Sequence, residues 1–131
     1  MIKVLMVEDE ILNAFVLSLQ LKQLGYQVVD TVTEGEMAIE ILKKDIPDLI
    51  LMDVQLRGKL NGIETMEIIR TFSDLPVIYI TSYTDALMME RMSSTRRSNI
   101  LQKPYREEQL AAMLVLALES DSPEDNVISA S

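Results

Sequence analysis

The chain has 131 residues, 48% of them hydrophobic, which excludes a disordered polypeptide and leaves room for one domain with a real core. A net charge of −9 disfavours binding to nucleic acid by this chain alone. Cysteine and histidine are absent, which excludes thiolate nucleophiles, zinc–thiolate clusters, serine–histidine–aspartate triads and a histidine phosphocarrier. The lack of cysteine fits the cytoplasm, and we expect neither a signal peptide nor a membrane span.

Short apolar runs alternate with helical patterns along the whole chain. We predict strands at Ile2–Val7, Val28–Val32, Leu49–Met52, Val77–Ile80 and Asn99–Gln102. We predict helices at Glu10–Leu24, Glu34–Lys44, Ile63–Phe72, Asp85–Met92 and Glu107–Glu119. The basic segment Arg91–Ser98 is interpreted as a mobile loop in preference to an anion-binding patch.

This (βα)5 order predicts an α/β fold, a flavodoxin-like doubly wound parallel sheet of five strands in the order 2-1-3-4-5. The strands lack polar alternation, as expected when both faces of a sheet are covered by helices. Residues 1–119 form the predicted domain. Residues 120–131 have the composition of an acidic, disordered tail.

Chemically useful side chains follow four of the predicted strands. The pair Glu8 and Asp9, then Asp53, Thr81 and Lys103, each come at a strand end. Because the carboxyl ends of parallel strands share one rim, we expect these residues to meet. Their ordinary roles would be helix capping or solvation, but three converging carboxylates would repel one another unless a cation lay between them. Mg²⁺ suits such a gap, and Lys103 would pair with Asp53 when the site is empty.

With these residues in place, the chain resembles the receiver domain of two-component response regulators over residues 2 to about 119. The matching motifs are V-E-D-E at 7–10, L-I-L-M-D at 49–53, N-G at 61–62, Y-I-T-S at 79–82 and K-P-Y at 103–105. The resemblance implies that Asp53 is the phosphoacceptor. It also implies a Mg²⁺ site formed by Glu8, Asp9, Asp53 and the backbone carbonyl of Gln55.

By the same resemblance, Thr81 is the switch hydroxyl and Lys103 binds the phosphoryl group. The side chains of Gln55 and Tyr83 flank the approach of water and would tune the lifetime of the phosphorylated state. Receiver domains usually carry an aromatic switch residue where this chain has Ile100. The loop after Asp53 departs as well, with Arg57 where many relatives have proline and one residue more in length.

The last predicted helix, Glu107–Glu119, has more apolar residues than one core-facing stripe requires. A stripe would use Leu110, Met113, Leu114 and Ala117. Three further residues remain, namely Val115, Leu116 and Leu118. Contiguous exposed aliphatic side chains favour a contact surface, so we expect this helix to form a homodimer interface or to bind an output protein.

The leading hypothesis is a phosphorylation-driven switch that is not an enzyme beyond its self-directed phosphoryl transfer and autodephosphorylation. A sensor histidine kinase or a phosphotransfer protein would supply the phosphoryl group to Asp53 with Mg²⁺ as cofactor. One alternative is a pseudo-receiver that acts only through contacts. Another is an aspartyl-phosphate phosphohydrolase, which usually has a second aspartate where this chain has Gln55. The domain would be either a stand-alone receiver or one cut from a longer protein.

Overall fold

The computed structural model describes residues 1–82 and 85–119. The strands are β1 (Lys3–Val7), β2 (Gln27–Val32), β3 (Leu49–Asp53), β4 (Val77–Thr81) and β5 (Ser98–Gln102). The helices are α1 (Ile11–Gln23), α2 (Gly35–Lys44), α3 (Gly62–Ile69), α4 (Ala86–Ser94) and α5 (Glu107–Glu119). Every predicted element is present, with its ends shifted by a few residues at most. None of the described helices has the length and apolarity needed to cross a membrane.

The strands form one parallel sheet in the predicted order β2-β1-β3-β4-β5. β1 pairs with both β2 and β3, and β3 pairs with β4, so the acidic residues after β1 and at the end of β3 are neighbours. Because the strands are parallel, their carboxyl ends form a single rim. The sheet therefore gathers onto one edge the residues that the sequence separates.

Successive residues of the central strands enter opposite apolar layers. Leu5 and Val7 of β1 pack into the layer beneath α2, α3 and α4, whereas Val4 and Met6 pack into the layer beneath α1 and α5. The strands β3 and β4 are buried along their whole length. Burial on both faces explains why these strands show no polar alternation.

Helix α5 follows the predicted stripe closely. Leu110, Leu114 and Ala117 are buried, and Met113 packs against the same layer. Val115 and Leu116 are exposed, as predicted. Leu118 was wrongly assigned to the surplus, since it is partly buried and packs against the core.

Helix α4 is longer than predicted and ends at Ser94, so the interpretation of Arg91–Ser98 as a loop was wrong for its first part. A buried hydrogen bond ties the following residue to the sheet, because the Tyr79 hydroxyl lies 2.9 Å from Oγ1 of Thr95. Burial of the ring raises the pKa of Tyr79 to about 12. The end of α4 is therefore attached to β4 by a pair of hydroxyl groups.

The turn between α4 and β5 is held to the end of α3 by two arginines. Arg70 donates from Nε to the carbonyl oxygen of Arg96 at 2.9 Å, and Arg96 donates back to the carbonyl oxygen of Arg70 at 3.3 Å. Arg96 also lies 2.8 Å from the Asp74 carboxylate. The neighbouring Arg97 has a left-handed φ of 50° and donates to the Asp74 carbonyl oxygen at 3.1 Å. These basic residues hold the turn in place and do not form an unpaired anion-binding patch.

Candidate functional site

Three carboxylates meet at the carboxyl rim of the sheet. Glu8 and Asp9 follow β1, and Asp53 is the last residue of β3. One carboxylate oxygen from each lies within 4.8 Å of the other two. Glu8 is 5% exposed and Asp53 is 8% exposed. The structure thus brings together the three acids that the sequence analysis singled out, in a largely buried cluster.

Glu8 has two polar partners besides the other acids. Its Oε2 accepts the backbone N–H of Glu10 at 3.1 Å, and its Oε1 lies 3.7 Å from Nζ of Lys103. Burial raises the pKa of Glu8 to about 7, helped by a hydrogen bond to Asp53 and by that residue's charge, while Lys103 acts in the opposite direction. Burial is therefore the main reason that the charged form of Glu8 is disfavoured, and the neighbouring carboxylate adds to it.

Lys103 lies on the same rim, but its partner differs from the predicted one. Its ammonium forms an ion pair with Glu8, not with Asp53. Its backbone N–H donates to the carbonyl oxygen of Thr81 at 2.8 Å, which fixes the end of β5 against the end of β4. Thr81 is 1% exposed, and the residue before it, Ile80, is the register partner of Asp53. Strand pairing thus places Thr81 and Lys103 on the same rim as the acid cluster.

The loop after Asp53 is shaped by a close backbone approach at Gly62. The N–H of Gly62 donates to the carbonyl oxygen of Val54 at 2.9 Å. A Cβ at Gly62 would lie 2.9 Å from Cα of Val54 and would also collide with the carbonyl oxygen of Asp53. Only glycine lets the start of α3 come this near to the end of β3. The N-G motif thus holds the backbone that carries the central carboxylate.

Two further contacts complete the acid cluster. The backbone N–H of Gln55 donates to Oδ1 of Asp53 at 3.2 Å, while the Gln55 side chain is exposed. Nε of Arg57 lies 3.4 Å from Oδ2 of Asp9, whose side chain is only 9% exposed. In the sequence, Arg57 is only a departure from the usual residue. The sequence carries no signal for this ion pair, which depends on the path of the loop.

An apolar surface lies on the helix that follows the acid cluster. Residues Ile11, Leu12, Phe15, Val16 and Leu19 of α1 are between 46% and 84% exposed, and we call them the α1 apolar surface. Their spacing places them on the solvent side of the helix, opposite the buried Ala14, Leu17 and Leu21. The sequence pattern predicted the helix but not this surface, because α1 is apolar on nearly every side.

Comparison with known proteins identifies the family to which this fold belongs. Residues 4–115 match the response regulator receiver domain family. The chain belongs to this family. It is 31% identical over 112 residues to a probable transcriptional regulator, ycf27, of Cyanophora paradoxa, covering 86% of this chain and 46% of that protein. It is 28% identical over 116 residues to a probable chemotaxis protein CheY of Rhizobium etli, covering 86% and 89% respectively.

A solved receiver domain provides a structural comparison. The receiver domain of the sensor histidine kinase PA1611 from Pseudomonas aeruginosa PAO1, solved with a magnesium ion in its active site cleft, has a TM-score of 0.80 and 28% identity. The match covers 90% of this chain and 98% of that one. This chain spans about half the length of ycf27 and of several other relatives. Receiver domains are signalling regulators, which disfavours the phosphohydrolase alternative.

The remaining positions of interest in this receiver domain are Ile100 and Tyr83. Ile100 is half-buried, lies in register with Tyr79, and packs against the layer beneath α4. The position at which the sequence suggested an aromatic switch residue is therefore filled by a half-buried aliphatic side chain. Tyr83 lies outside the described residues, so its role stays a prediction.

Proposed function

We propose that this receiver domain is the phosphoacceptor switch of a two-component phosphorelay, with Asp53 as the acceptor. The observation that carries the proposal is the cluster of Glu8, Asp9 and Asp53, whose carboxylate oxygens lie within 4.8 Å of one another. Lys103 stands beside the cluster, 3.7 Å from Glu8. Carboxylates for a divalent cation, an acceptor and a lysine on one rim are the groups that phosphoryl transfer requires.

In the proposed reaction, a carboxylate oxygen of Asp53 attacks the phosphorus of a phosphohistidine on the donor protein. An O–P bond to Asp53 forms, the P–N bond breaks, and the imidazole leaves with the electron pair of that bond. Lys103 would then exchange its partner Glu8 for a phosphoryl oxygen. The hydroxyl of Thr81 would donate to another phosphoryl oxygen and so bias a two-state equilibrium in the segment that follows β4.

The acid cluster fits Mg²⁺ by the chemistry of its donors. Mg²⁺ is usually held by one or two carboxylates and keeps several waters. We propose that Asp9, Asp53 and the backbone carbonyl of Gln55 are direct ligands and that Glu8 acts through water. When bound, Mg²⁺ neutralises charge on the phosphoryl oxygens during transfer. Burial, and then the neighbouring Asp53, raise the pKa of Glu8, and a cation bound between the carboxylates would favour its ionised form.

The phosphoryl donor would be a sensor histidine kinase or a phosphotransfer protein. Such a donor has to cover the rim, and the α1 apolar surface begins two residues after Asp9. We propose that this surface contacts the donor during transfer. The exposed Val115 and Leu116 of α5 lie on a different helix and would serve a homodimer or an output protein. The cytoplasmic location stays a prediction of the sequence.

The test is intact-mass measurement after treatment with Mg²⁺ and a small acyl-phosphate donor. The unmodified chain should gain one phosphoryl group, and Asp53→Asn should gain none. Asp9→Ala should also fail to gain the group while keeping its far-ultraviolet circular dichroism spectrum. If the unmodified chain gains no phosphoryl group, the pseudo-receiver alternative is correct. If Asp9→Ala reacts as fast as the unmodified chain, the proposed metal ligands are wrong.

The lifetime of the phosphorylated state gives a second test. Hydrolysis requires water in line with the breaking O–P bond, and neither Gln55 nor Tyr83 is an acid suited to orient that water. We therefore propose slow autodephosphorylation, with the tyrosine covering the phosphoryl group. Tyr83→Ala should shorten the lifetime when decay is followed by mass. An unchanged lifetime would remove the shielding role and leave the assignment of Asp53 intact.

A further inference from the structure

Asp9, which we propose as a metal ligand, already forms an ion pair with an arginine of the same protein. Nε of Arg57 lies 3.4 Å from Oδ2 of Asp9. The two partners differ greatly in exposure, with 81% of the Arg57 side chain exposed against 9% for Asp9. A cation on the solvent side thus meets a carboxylate fixed within the cluster. A second cation, Lys103, pairs with Glu8 in the same cluster.

The loop that carries Arg57 is fixed by contacts next to that residue. The N–H of Leu60 donates to Oε1 of Glu36 on α2 at 3.0 Å. A Cβ at Gly58 would lie 2.7 Å from Oε2 of the same glutamate, so the backbone beside Arg57 is pressed against this carboxylate. The backbone of Arg57 is therefore held near the rim, while its exposed side chain has room to leave Asp9.

A guanidinium and a divalent cation compete for the same oxygens. Mg²⁺ requires close to ideal octahedral geometry at its ligands, and the positive charge of Arg57 repels it. Arginine does not lose its proton at accessible pH, so this competition persists under all ordinary conditions. Because Arg57 is mostly exposed, solvent screens the ion pair and displacement is easy. The arginine can tune metal affinity without blocking the site.

We infer that Arg57 is a positioning residue that holds Asp9 in the metal-free protein and lowers the affinity of the acid cluster for Mg²⁺. This inference rests on the proposed function of the cluster. Its consequence is that the ion pair between Arg57 and Asp9 is exchanged for metal each time the site is loaded. The concentration of Mg²⁺ needed for phosphorylation is then set in part by a loop residue that is not itself a ligand.

The experiment is calorimetric titration of the metal-free protein with MgCl₂ at low ionic strength. Arg57→Gln should lower the dissociation constant for Mg²⁺ about two- to fivefold, the range expected for an exposed ion pair. Lys59→Gln is the matched control, since Lys59 is exposed in the same loop, carries the same charge and has no ion pair among the described residues. It should change the constant by less than about half as much. Arg57→Lys should fall between the two.

The outcomes separate the inference from the function on which it rests. Equal effects of Arg57→Gln and Lys59→Gln would overturn the role of Arg57 while leaving the metal site in place. Absence of Mg²⁺ binding in the unmodified chain and in both variants would instead overturn the proposed metal site, and with it the inference. Thermal unfolding in a chelator supplies a further readout, in which Arg57→Gln should be no more stable than Lys59→Gln.

Discussion

Replacing Glu8 with glutamine should stabilise the metal-free protein at alkaline pH. Glu8 is 5% exposed, and its pKa rises from 4.5 to about 7 on folding, because burial and the neighbouring Asp53 disfavour the charged form. A raised pKa in the folded state means that its contribution to stability is fully present below pH 4.5 and is lost as pH rises through about 7. Ionised Glu8 is therefore a destabilising group at pH 8.

The magnitude follows from the two pKa values. Each tenfold difference in proton affinity is worth about 1.4 kcal/mol, so the cost of ionised Glu8 at pH 8 is on the order of 3 kcal/mol. For a domain of this size that corresponds to about 10 °C in melting temperature. Glu8→Gln removes the charge and keeps an oxygen that can accept the N–H of Glu10. The variant also loses the ion pair with Lys103, so the observed gain should be somewhat smaller than the full cost.

The assay is thermal unfolding by circular dichroism at pH 5, 6, 7 and 8 in a buffer with chelator. Glu8→Gln should melt at a higher temperature than the unmodified chain at pH 8, and the difference should shrink toward pH 5. Glu10→Gln is the control, since it removes an exposed carboxylate from the adjacent turn and should leave the pH profile unchanged. Melting temperatures of Glu8→Gln and the unmodified chain that differ equally at every pH would refute the reasoning.

Three other perturbations test separate parts of the structure. Gly62→Ala should destabilise the fold by about 2 kcal/mol or more in urea denaturation, because the new Cβ meets backbone atoms of Val54 that cannot move aside, and a loss under about 0.5 kcal/mol would contradict this. Tyr79→Phe should cost about 1 kcal/mol at pH 7 by removing a buried hydrogen bond to Thr95, and no loss would mean that the bond does not contribute. Lys103→Ala should reduce the change in hydrogen exchange caused by a phosphoryl mimic more than it reduces stability, and a full response would argue against its role.

Much of the fold could be predicted from the sequence, because the strands are short apolar runs bordered by glycine, proline or polar residues. The order of the sheet followed from the βα alternation, and the shared rim of parallel strands was enough to place Glu8, Asp9 and Asp53 together. These inferences depend on backbone topology, which can be predicted from the alternation of strand and helix patterns along the chain. The same reasoning correctly expected Val115 and Leu116 to be exposed.

The details that escaped prediction depend on where side chains point. The choice of Lys103 between Glu8 and Asp53 is decided by distances of a few ångströms at the rim, and strand ends do not specify it. The ion pair of Arg57 depends on a loop whose path is fixed by Glu36, far away in sequence. The end of α4 was predicted too early, because the serine and arginine residues there do not continue the apolar spacing of a helix. The turn after α4 is nevertheless held firmly by tertiary contacts.

Arg70 and Arg96 join the turn after α4 to the end of α3, so we expect α4 to tilt about this turn and not to shift as a whole. That turn contains Thr95 and Arg96, and the opposite end of the helix begins a few residues after Thr81. A helix of nine residues is about 13 Å long, so a tilt of about ten degrees about this turn moves the first turn of the helix by about 2 Å. Leu87, which is 65% exposed, lies on that first turn and would move with it. A tilt of α4 about this turn would therefore displace an apolar side chain on the surface of the domain.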